Sequence, residues 1–386
     1  MYFVEKTKGN NYFKKFDYIL FGAILILSFI GIAALKSAIG EPGMTKTLLK
    51  QILCLAIGIV LAAIIAAIDY KDFKTLGIAL YIVSIVLLVL VLVIGDRRHG
   101  SKSWLNVPLI GSFQPSELAK VAFAVVVPIF LERLKEGQKI AKNVIKLVIY
   151  AMLPIGLILL QRDVGTALVF IVALVTMLFI YGIPYRYFFI ALGLFAAAAP
   201  ILWFFVIPEK FPHIKGRILT FIFPEMDLQG DGLQVYRSKM TIGSGQLFGK
   251  GLFHGLQTQN SSSPVSSFNV PEKQTDFIFS VIGEEMGFIG SMIFIAIVFF
   301  ILLRCIYIAY KSRDAYGSYM VICITSMLGF HFIENIGMCI GVLPVTGIPL
   351  PFVSQGGSAL IANYMNTGIL LSVSMRRQRT IFNSSQ

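Results

Sequence analysis

Ten stretches of nearly unbroken apolar sequence punctuate the chain, at about 17–35, 48–68, 76–95, 114–131, 144–161, 164–181, 186–207, 277–303, 317–341 and 355–375. Each is close to the roughly 20 residues that an α-helix needs to cross a hydrocarbon core about 30 Å thick. They are too long and too evenly apolar for barrel strands, and in lipid a segment must pair its own backbone polar groups, so helices are predicted at all ten. The fold class is therefore all-α, a polytopic membrane protein forming a single integral membrane domain over residues 1–386. One connection departs from the short linkers between the others: a loop of about 70 residues, 208–276, separates the seventh and eighth spans.

Polar positions then set the orientation. Basic residues crowd the connections on the side of the N-terminus, with Lys6, Lys8, Lys14, Lys15, Lys71, Lys74, Arg133, Lys135, Lys139, Lys142, Lys146, Arg304, Lys311, Arg313, Arg376 and Arg377 among them. The opposite side holds Lys36, Lys46, Lys50, Arg97, Arg98, Lys102 and Arg162 in its short loops. The positive-inside rule puts both termini in the cytoplasm, in agreement with an even number of spans. Composition supports this class, with 56% hydrophobic residues, 14% charged residues and a mean hydropathy of +0.80. The net charge of +13 reads as topology and attraction to anionic headgroups, and no nucleic-acid motif accompanies it. The first apolar run follows Lys14 and Lys15 and precedes many others, so it is a signal-anchor span rather than a cleaved signal peptide. Cys54, Cys305, Cys323 and Cys339 fall in or beside helices without metal-ligand spacing and read as packing residues. His99, His213, His254 and His331 are scattered and indicate no zinc site.

The long loop and the polar residues inside the spans carry the candidate chemistry. A connection of this length is usually functional or disordered, and Ile218–Phe223 and Leu247-Phe248 argue for order, with interfacial or short helical pieces. Arg217 and its Gly-rich surroundings suit an anionic partner, phosphate above all, while the plainer reading is a solvated loop with cations at the headgroups. Asp276 stands where that loop meets the eighth span, a border at which one carboxylate can meet both a lipid-borne substrate and water. Glu117 and Lys120 lie one turn apart on the face of the fourth span, as a cavity-facing pair or a mutually neutralising one. Asp163, in the turn before the sixth span, suits a helix N-cap, a cation ligand or a neighbour that tunes another acid. Glu284, Glu285 and Glu334 have pairing with Lys120 or another buried cation as their default explanation. The Pro- and Gly-rich stretch 341–358 survives at membrane depth only where protein or a cavity covers it, and it is predicted to line a site.

These residues together resemble the SEDS family of bacterial shape, elongation, division and sporulation proteins, which comprises RodA, FtsW and SpoVE. The resemblance rests on Ser103-Trp104, Phe113-Gln-Pro-Ser-Glu-Leu-Ala-Lys120, Asp163-Val-Gly-Thr-Ala167, Ile242-Gly-Ser-Gly245 with Gly249-Lys-Gly251, Thr275-Asp-Phe-Ile-Phe-Ser-Val-Ile-Gly-Glu-Glu285, and Asn335-Ile-Gly-Met338 with Leu343–Phe352. The motifs run in family order along nearly the whole chain, and Phe330–Met338 with Thr346–Pro349 is closer to RodA than to FtsW. Gln355 in place of the usual Tyr, Leu228 in place of Pro, and Arg237 where Gln is common depart from the pattern.

The resemblance implies a ten-helix SEDS fold in the bacterial cytoplasmic membrane. The implied activity is a peptidoglycan glycosyltransferase that polymerises lipid II at the outer face for cell elongation and rod shape. Its implied partners are a class B penicillin-binding protein and elongation-complex membrane proteins. Asp276 matches the family's essential acid, and Lys120 and Asp163 match other functional polar positions. In such a reaction a sugar hydroxyl attacks an anomeric carbon and undecaprenyl diphosphate leaves. A partly desolvated Asp276 is a better proton acceptor than a carboxylate in water, which makes it the candidate general base. Glu117, Lys120, Asp163, Arg217 and Glu285 are candidate substrate-binding or charge-stabilising residues. A divalent cation, Mg or Mn, is a candidate cofactor, and no organic cofactor is implied. Lipid tails need an apolar groove, and the Pro and Gly breaks near residues 115, 344, 349 and 351 are places where one could form. The rivals are a flippase or transporter for the same lipid, a division-type FtsW-like polymerase, and a noncatalytic scaffold that recruits a transpeptidase.

Overall fold

The computed structural model describes residues 15–40, 43–98, 101–107, 111–206, 212–223, 230–255 and 270–377. Helices form at all ten predicted spans: α1 (Tyr18–Ile39), α2 (Lys46–Ala67), α3 (Phe73–Ile94), α4 (Pro115–Lys135), α5 (Ile140–Leu160), α6 (Val164–Tyr181), α7 (Tyr185–Ile201), α10 (Ile278–Tyr310), α11 (Ala315–Cys339) and α12 (Gly357–Met375). Two shorter helices, α8 (Pro212–Ile222) and α9 (Asp231–Ser244), lie in the long loop; α8 takes in most of the apolar run 218–223, whereas Leu247-Phe248 fall in a turn after α9. Eight of the ten long helices are apolar enough to cross a membrane by length and composition. The other two, α4 and α12, are enclosed by protein on nearly every side, which lets them carry Glu117, Lys120, Asn363 and Asn366 without meeting lipid.

Helix α4 is the axis of the bundle and packs on α3, α5, α6, α11 and α12. Helices α2 and α12 approach closely where glycines remove side-chain bulk: Gly58 faces the Tyr364 ring, and Gly368 faces the backbone of Ala62. Helix α7 differs from the rest because none of its residues is buried. Its described ring contacts are those of Tyr185 and Phe188 with Phe179 at the end of α6. One feature was missed by the helical pattern: the α3–α4 connection folds into a three-stranded antiparallel sheet, β1 (Asp96–Arg98), β2 (Ser101–Val107) and β3 (Gly111–Phe113), in the order β1-β2-β3. The three residues each of β1 and β3 are too few for alternation to be legible, and the seven of β2 show no clear alternation of apolar and polar residues.

The two ends of the bundle differ in chemistry. At the end holding Asp17, ion pairs tie helix termini together: Arg304 and Arg377 to Asp17, Lys71 to Asp314, Lys74 to Glu132, and Arg376 to Asp69. At the other end several polar groups are buried, among them Glu117, Lys120, Glu284, Glu334 and Asn335.

Near that second end α10 is broken at Gly287, whose φ of 66° and ψ of −167° lie outside the helical region. The break frees the carbonyls of Glu284 and Glu285, which accept from the backbone N–H groups of Lys250 and Gly251 at 3.0 Å each. Gly249 must come this close without a side chain: at its φ of +81° a Cβ would lie 2.1 Å from the Glu285 carbonyl oxygen. A left-handed conformation alone costs a non-glycine residue roughly 1–2 kcal/mol. Gly249→Ala is therefore expected to destabilise the protein by at least about 2 kcal/mol once the clash is added, read as a lowered unfolding midpoint in detergent. A midpoint equal to that of the parent would show that the loop does not press on α10 in this way.

Candidate active site

Asp276 lies in the turn before α10, half-buried, and its backbone carbonyl is held from α11. The side-chain amide of Asn335, fully buried on α11, donates to the Asp276 carbonyl at 2.7 Å and to the Ile348 carbonyl at 2.8 Å. The loop that follows α11 holds the neighbouring residues. Ser354 Oγ donates to the Thr275 carbonyl at 2.6 Å and accepts from the Leu350 N–H at 2.8 Å, and the Gln355 N–H donates to the Gln274 carbonyl at 2.9 Å. Gln51 on α2 braces the same loop through the Ser354 carbonyl and the Gly356 N–H. The stretch 341–358 thus lines the site as predicted, and the unusual Gln355 keeps its backbone bond to the segment bearing Asp276.

The Asp276 carboxylate faces Gly347, where a Cβ would sit 3.4 Å from Oδ2. One residue earlier, the Thr346 carbonyl accepts from Arg217 Nη1 at 3.1 Å, so α8 of the long loop delivers a guanidinium to the turn beside Asp276. The same carbonyl lies against the start of α6, 3.2 Å from where a Cβ of Gly165 would be. Asp163 caps that helix, with Oδ1 accepting from the Thr166 N–H at 3.1 Å and Oδ2 from Gln114 Nε2 at 3.2 Å. The capping reading of Asp163 is therefore realised, and the cap ties α6 to the start of α4. Asp276, Arg217 and Asp163 all gather around Thr346 and Gly347, with the N-terminal ends of α4, α6 and α10 at the same end of the bundle. Helix N-termini favour negative charge nearby.

Glu117 and Lys120 form a buried ion pair at 2.9 Å, the neutralising arrangement weighed from their spacing. Lys120 Nζ also meets His331 Nε2 at 3.0 Å, and His331 Nδ1 meets the Pro349 carbonyl at 3.3 Å. The cavity among these groups leaves about 10 Å³ of free space, enough for about one water. Lys120 therefore joins the site through the loop at Pro349.

Of the three glutamates, Glu284 follows the default explanation by pairing with a cation other than Lys120, while Glu285 and Glu334 find other partners. Glu284 pairs with Lys250 at 2.7 Å, a loop cation rather than Lys120. Glu285 takes hydrogen bonds from Ser37 Oγ and from the backbone of Phe253 and Gly255, because the break at Gly287 turns it toward α1 and the loop. Glu334 is buried on α11 beside Thr346. Glu285 closes one end of an apolar groove of about 260 Å³ between α1 and α10, lined by Phe29, Ala33, Ala34, Ile282 and Met286 and roofed by Leu252. None of Pro115, Pro344, Pro349 and Pro351 lines this groove, although α1 packs at Gly31 on Phe352 and Val353.

Lys273, three residues before Asp276, is buried in the same turn. Burial pushes its ammonium down to about 8, opposed by the nearby Glu284 carboxylate. Below pH 8 the lysine is charged both folded and unfolded, and the burial penalty is fully present. Between 8 and the ordinary 10.5 the unfolded chain holds the extra proton, so stability rises with pH through that window. Thermal unfolding from pH 7.5 to 10.5 is expected to show this rise, and Lys273→Met to flatten it. Parallel curves for the two proteins would contradict the assignment.

Among the described residues no three His, Cys, Asp or Glu side chains come close enough together to cage a metal ion. The donor set fits a cation only as one shared between Asp276 and a substrate's own phosphate oxygens, the usual manner of Mg²⁺. All four cysteines are free and buried, in keeping with packing roles. Leu228, His99 and His213 lie outside the residues whose side chains are described. Arg237, the third departure, is half-buried on α9.

Sequence reasoning missed Asn335, Ser354, Gln51, Gln114 and His331 as members of the site. Gln51, His331 and Asn335 are polar residues inside apolar spans, the signal that singled out Glu117 and Lys120, so they were detectable. Ser354 and Gln114 act mainly through loop and helix-start geometry, which spacing does not encode.

Known proteins place this arrangement. The cell cycle protein family of FtsW, RodA and SpoVE matches residues 11–379. The peptidoglycan glycosyltransferase MrdB of Escherichia coli K12 is 35% identical over 358 residues, covering 92% of this chain and 93% of its own length. Stage V sporulation protein E of Bacillus subtilis is 35% identical over 328 residues, covering 84% of this chain and 86% of its own. A chain from a peptidoglycan synthase complex that coordinates polymerization and crosslinking superposes with a TM-score of 0.76 at 30% identity, covering 93% of this chain and 97% of that one. The rod shape determining protein RodA of Thermus thermophilus superposes with a TM-score of 0.68 at 27% identity, covering 94% of this chain and 98% of that one. With its motifs in order, its helices in place and its polar groups gathered at one end, this chain belongs to the FtsW/RodA/SpoVE family.

Proposed function

We propose that this multi-pass membrane protein is a peptidoglycan glycosyltransferase that polymerises lipid II into glycan strands. The observation that carries this reading is a half-buried carboxylate, Asp276, held by backbone bonds beside the Arg217-bearing turn at one end of a membrane bundle. The 4-hydroxyl oxygen of the acceptor sugar attacks the anomeric carbon of the donor, and the bond from that carbon to the diphosphate oxygen breaks with its electron pair. Asp276 takes the hydroxyl proton, a role worth about 10²–10⁴ in rate. Arg217 and the helix N-termini stabilise the departing diphosphate. A Mg or Mn ion, where used, would be held by Asp276 and the diphosphate and would add charge neutralisation. The α1–α10 groove, which begins six residues beyond Asp276 at Ile282, is suited to the isoprenoid next to that diphosphate.

In this reading the site end faces outward across the cytoplasmic membrane, the termini are cytoplasmic, and a class B penicillin-binding protein crosslinks the product. Elongation rather than division is the programme we favour, since Phe330–Met338 with Thr346–Pro349 is closer to RodA than to FtsW, although FtsW relatives match over as much of the chain. The test is polymerisation of lipid II by the purified protein in liposomes, alone and with its transpeptidase. Long glycan products support the reading. Lipid II crossing the bilayer without being polymerised would favour a flippase instead.

A further inference from the structure

Three buried groups are linked in series to the loop that fixes Asp276. Glu117 pairs with Lys120, Lys120 meets His331 Nε2, and His331 Nδ1 meets the Pro349 carbonyl. From Pro349 the loop runs five or six residues to Ser354 and Gln355, which bond the carbonyls of Thr275 and Gln274 immediately before Asp276. These contacts dictate the state of the ring. A carbonyl only accepts, so Nδ1 must carry hydrogen, and a protonated lysine only donates, so Nε2 must be bare. His331 is thus a neutral ring of one tautomer that receives from Lys120 and gives to the loop. A cavity with room for about one water leaves little solvent to substitute for either bond.

We infer that His331 is a positioning residue for the transfer reaction, holding the 349–355 loop against the Glu117–Lys120 pair so that the backbone before Asp276 stays in register. It touches no reacting atom and acts through Lys120 and the loop. This inference rests on the polymerase reading and adds a residue to it. A glutamine can offer an N–H and a carbonyl from one side chain, whereas a phenylalanine of similar size offers neither.

The experiment compares wild type, His331→Phe and His331→Gln in lipid II polymerisation, with the thermal midpoint of each measured in the same detergent. The expected result is a fall in kcat of at least tenfold for His331→Phe with KM changed less than twofold, and recovery of most of the loss in His331→Gln. Unchanged kcat in His331→Phe would overturn the inference, as would loss of activity in both variants in proportion to their midpoints, which marks packing alone. A reading on wild type itself needs no variant to fold: ¹⁵N spectra of histidine-labelled protein, with only four histidines to assign, should show one neutral ring protonated at Nδ1. All four rings in another state would also overturn it. Wild type without polymerase activity, but with that ring signature intact, would count against the polymerase reading and leave the hydrogen-bonded series standing.

Discussion

Asp276→Asn is expected to retain its fold and partner binding and to lose lipid II polymerisation by about 10²–10⁴-fold, the usual worth of a general base. The substitution is nearly isosteric and leaves the bond from Asn335 to the Asp276 carbonyl in place, so the turn keeps that anchor. What disappears is the capacity to accept the proton of an attacking hydroxyl while a negative charge stands near Arg217. Product length and initial rate, measured beside the thermal midpoint, separate lost chemistry from lost structure. Polymerisation at the parental rate would remove Asp276 from the role of base.

Asn335→Leu is the second large effect expected. One side-chain amide satisfies two carbonyls, those of Asp276 and Ile348, at a fully buried position. Leucine keeps the approximate volume and removes both bonds, leaving each carbonyl to carry a penalty of about 1–3 kcal/mol. Because the two carbonyls belong to the turn of Asp276 and the loop beside it, part of that cost appears as disorder of the Asp276 carboxylate. A fall in kcat of about 100-fold is expected, corresponding to some 2.7 kcal/mol in the barrier, together with a lower unfolding midpoint. A variant with a lowered midpoint but parental kcat would show that the clamp serves the fold and not the reaction.

How much of this was legible beforehand follows from what each residue depends on. The ten spans were readable because crossing lipid imposes length and apolarity locally, and α6 was placed at residues 164–181, where it forms. Asp276 was readable because a carboxylate at the lip of a membrane helix is expensive and therefore informative. The Glu117–Lys120 pair followed from helical spacing alone. The partners of Glu284 and Glu285 did not, since they depend on the break at Gly287 and on a loop whose Lys250 lies 34 residues before Glu284. The sheet at 96–113 was hidden because its strands are short or lack clear alternation, and the Asn335 clamp by its reliance on two distant backbone carbonyls. Local physics was visible in the sequence, and contacts requiring two remote segments to meet were not.

Helix α7 buries none of its residues. Selection on its sequence can then act mainly on solubility in hydrocarbon, the rings of Tyr185 and Phe188 being set apart by their contact with Phe179. The rest of Tyr185–Ile201 should drift freely among Leu, Ile, Val, Phe and Ala, as a lipid tail varies in saturation while keeping its length. Helix α4 is its opposite, since nearly every position there is read by some other helix. The same molecule thus carries one helix whose meaning lies in its letters and one whose meaning lies only in its span.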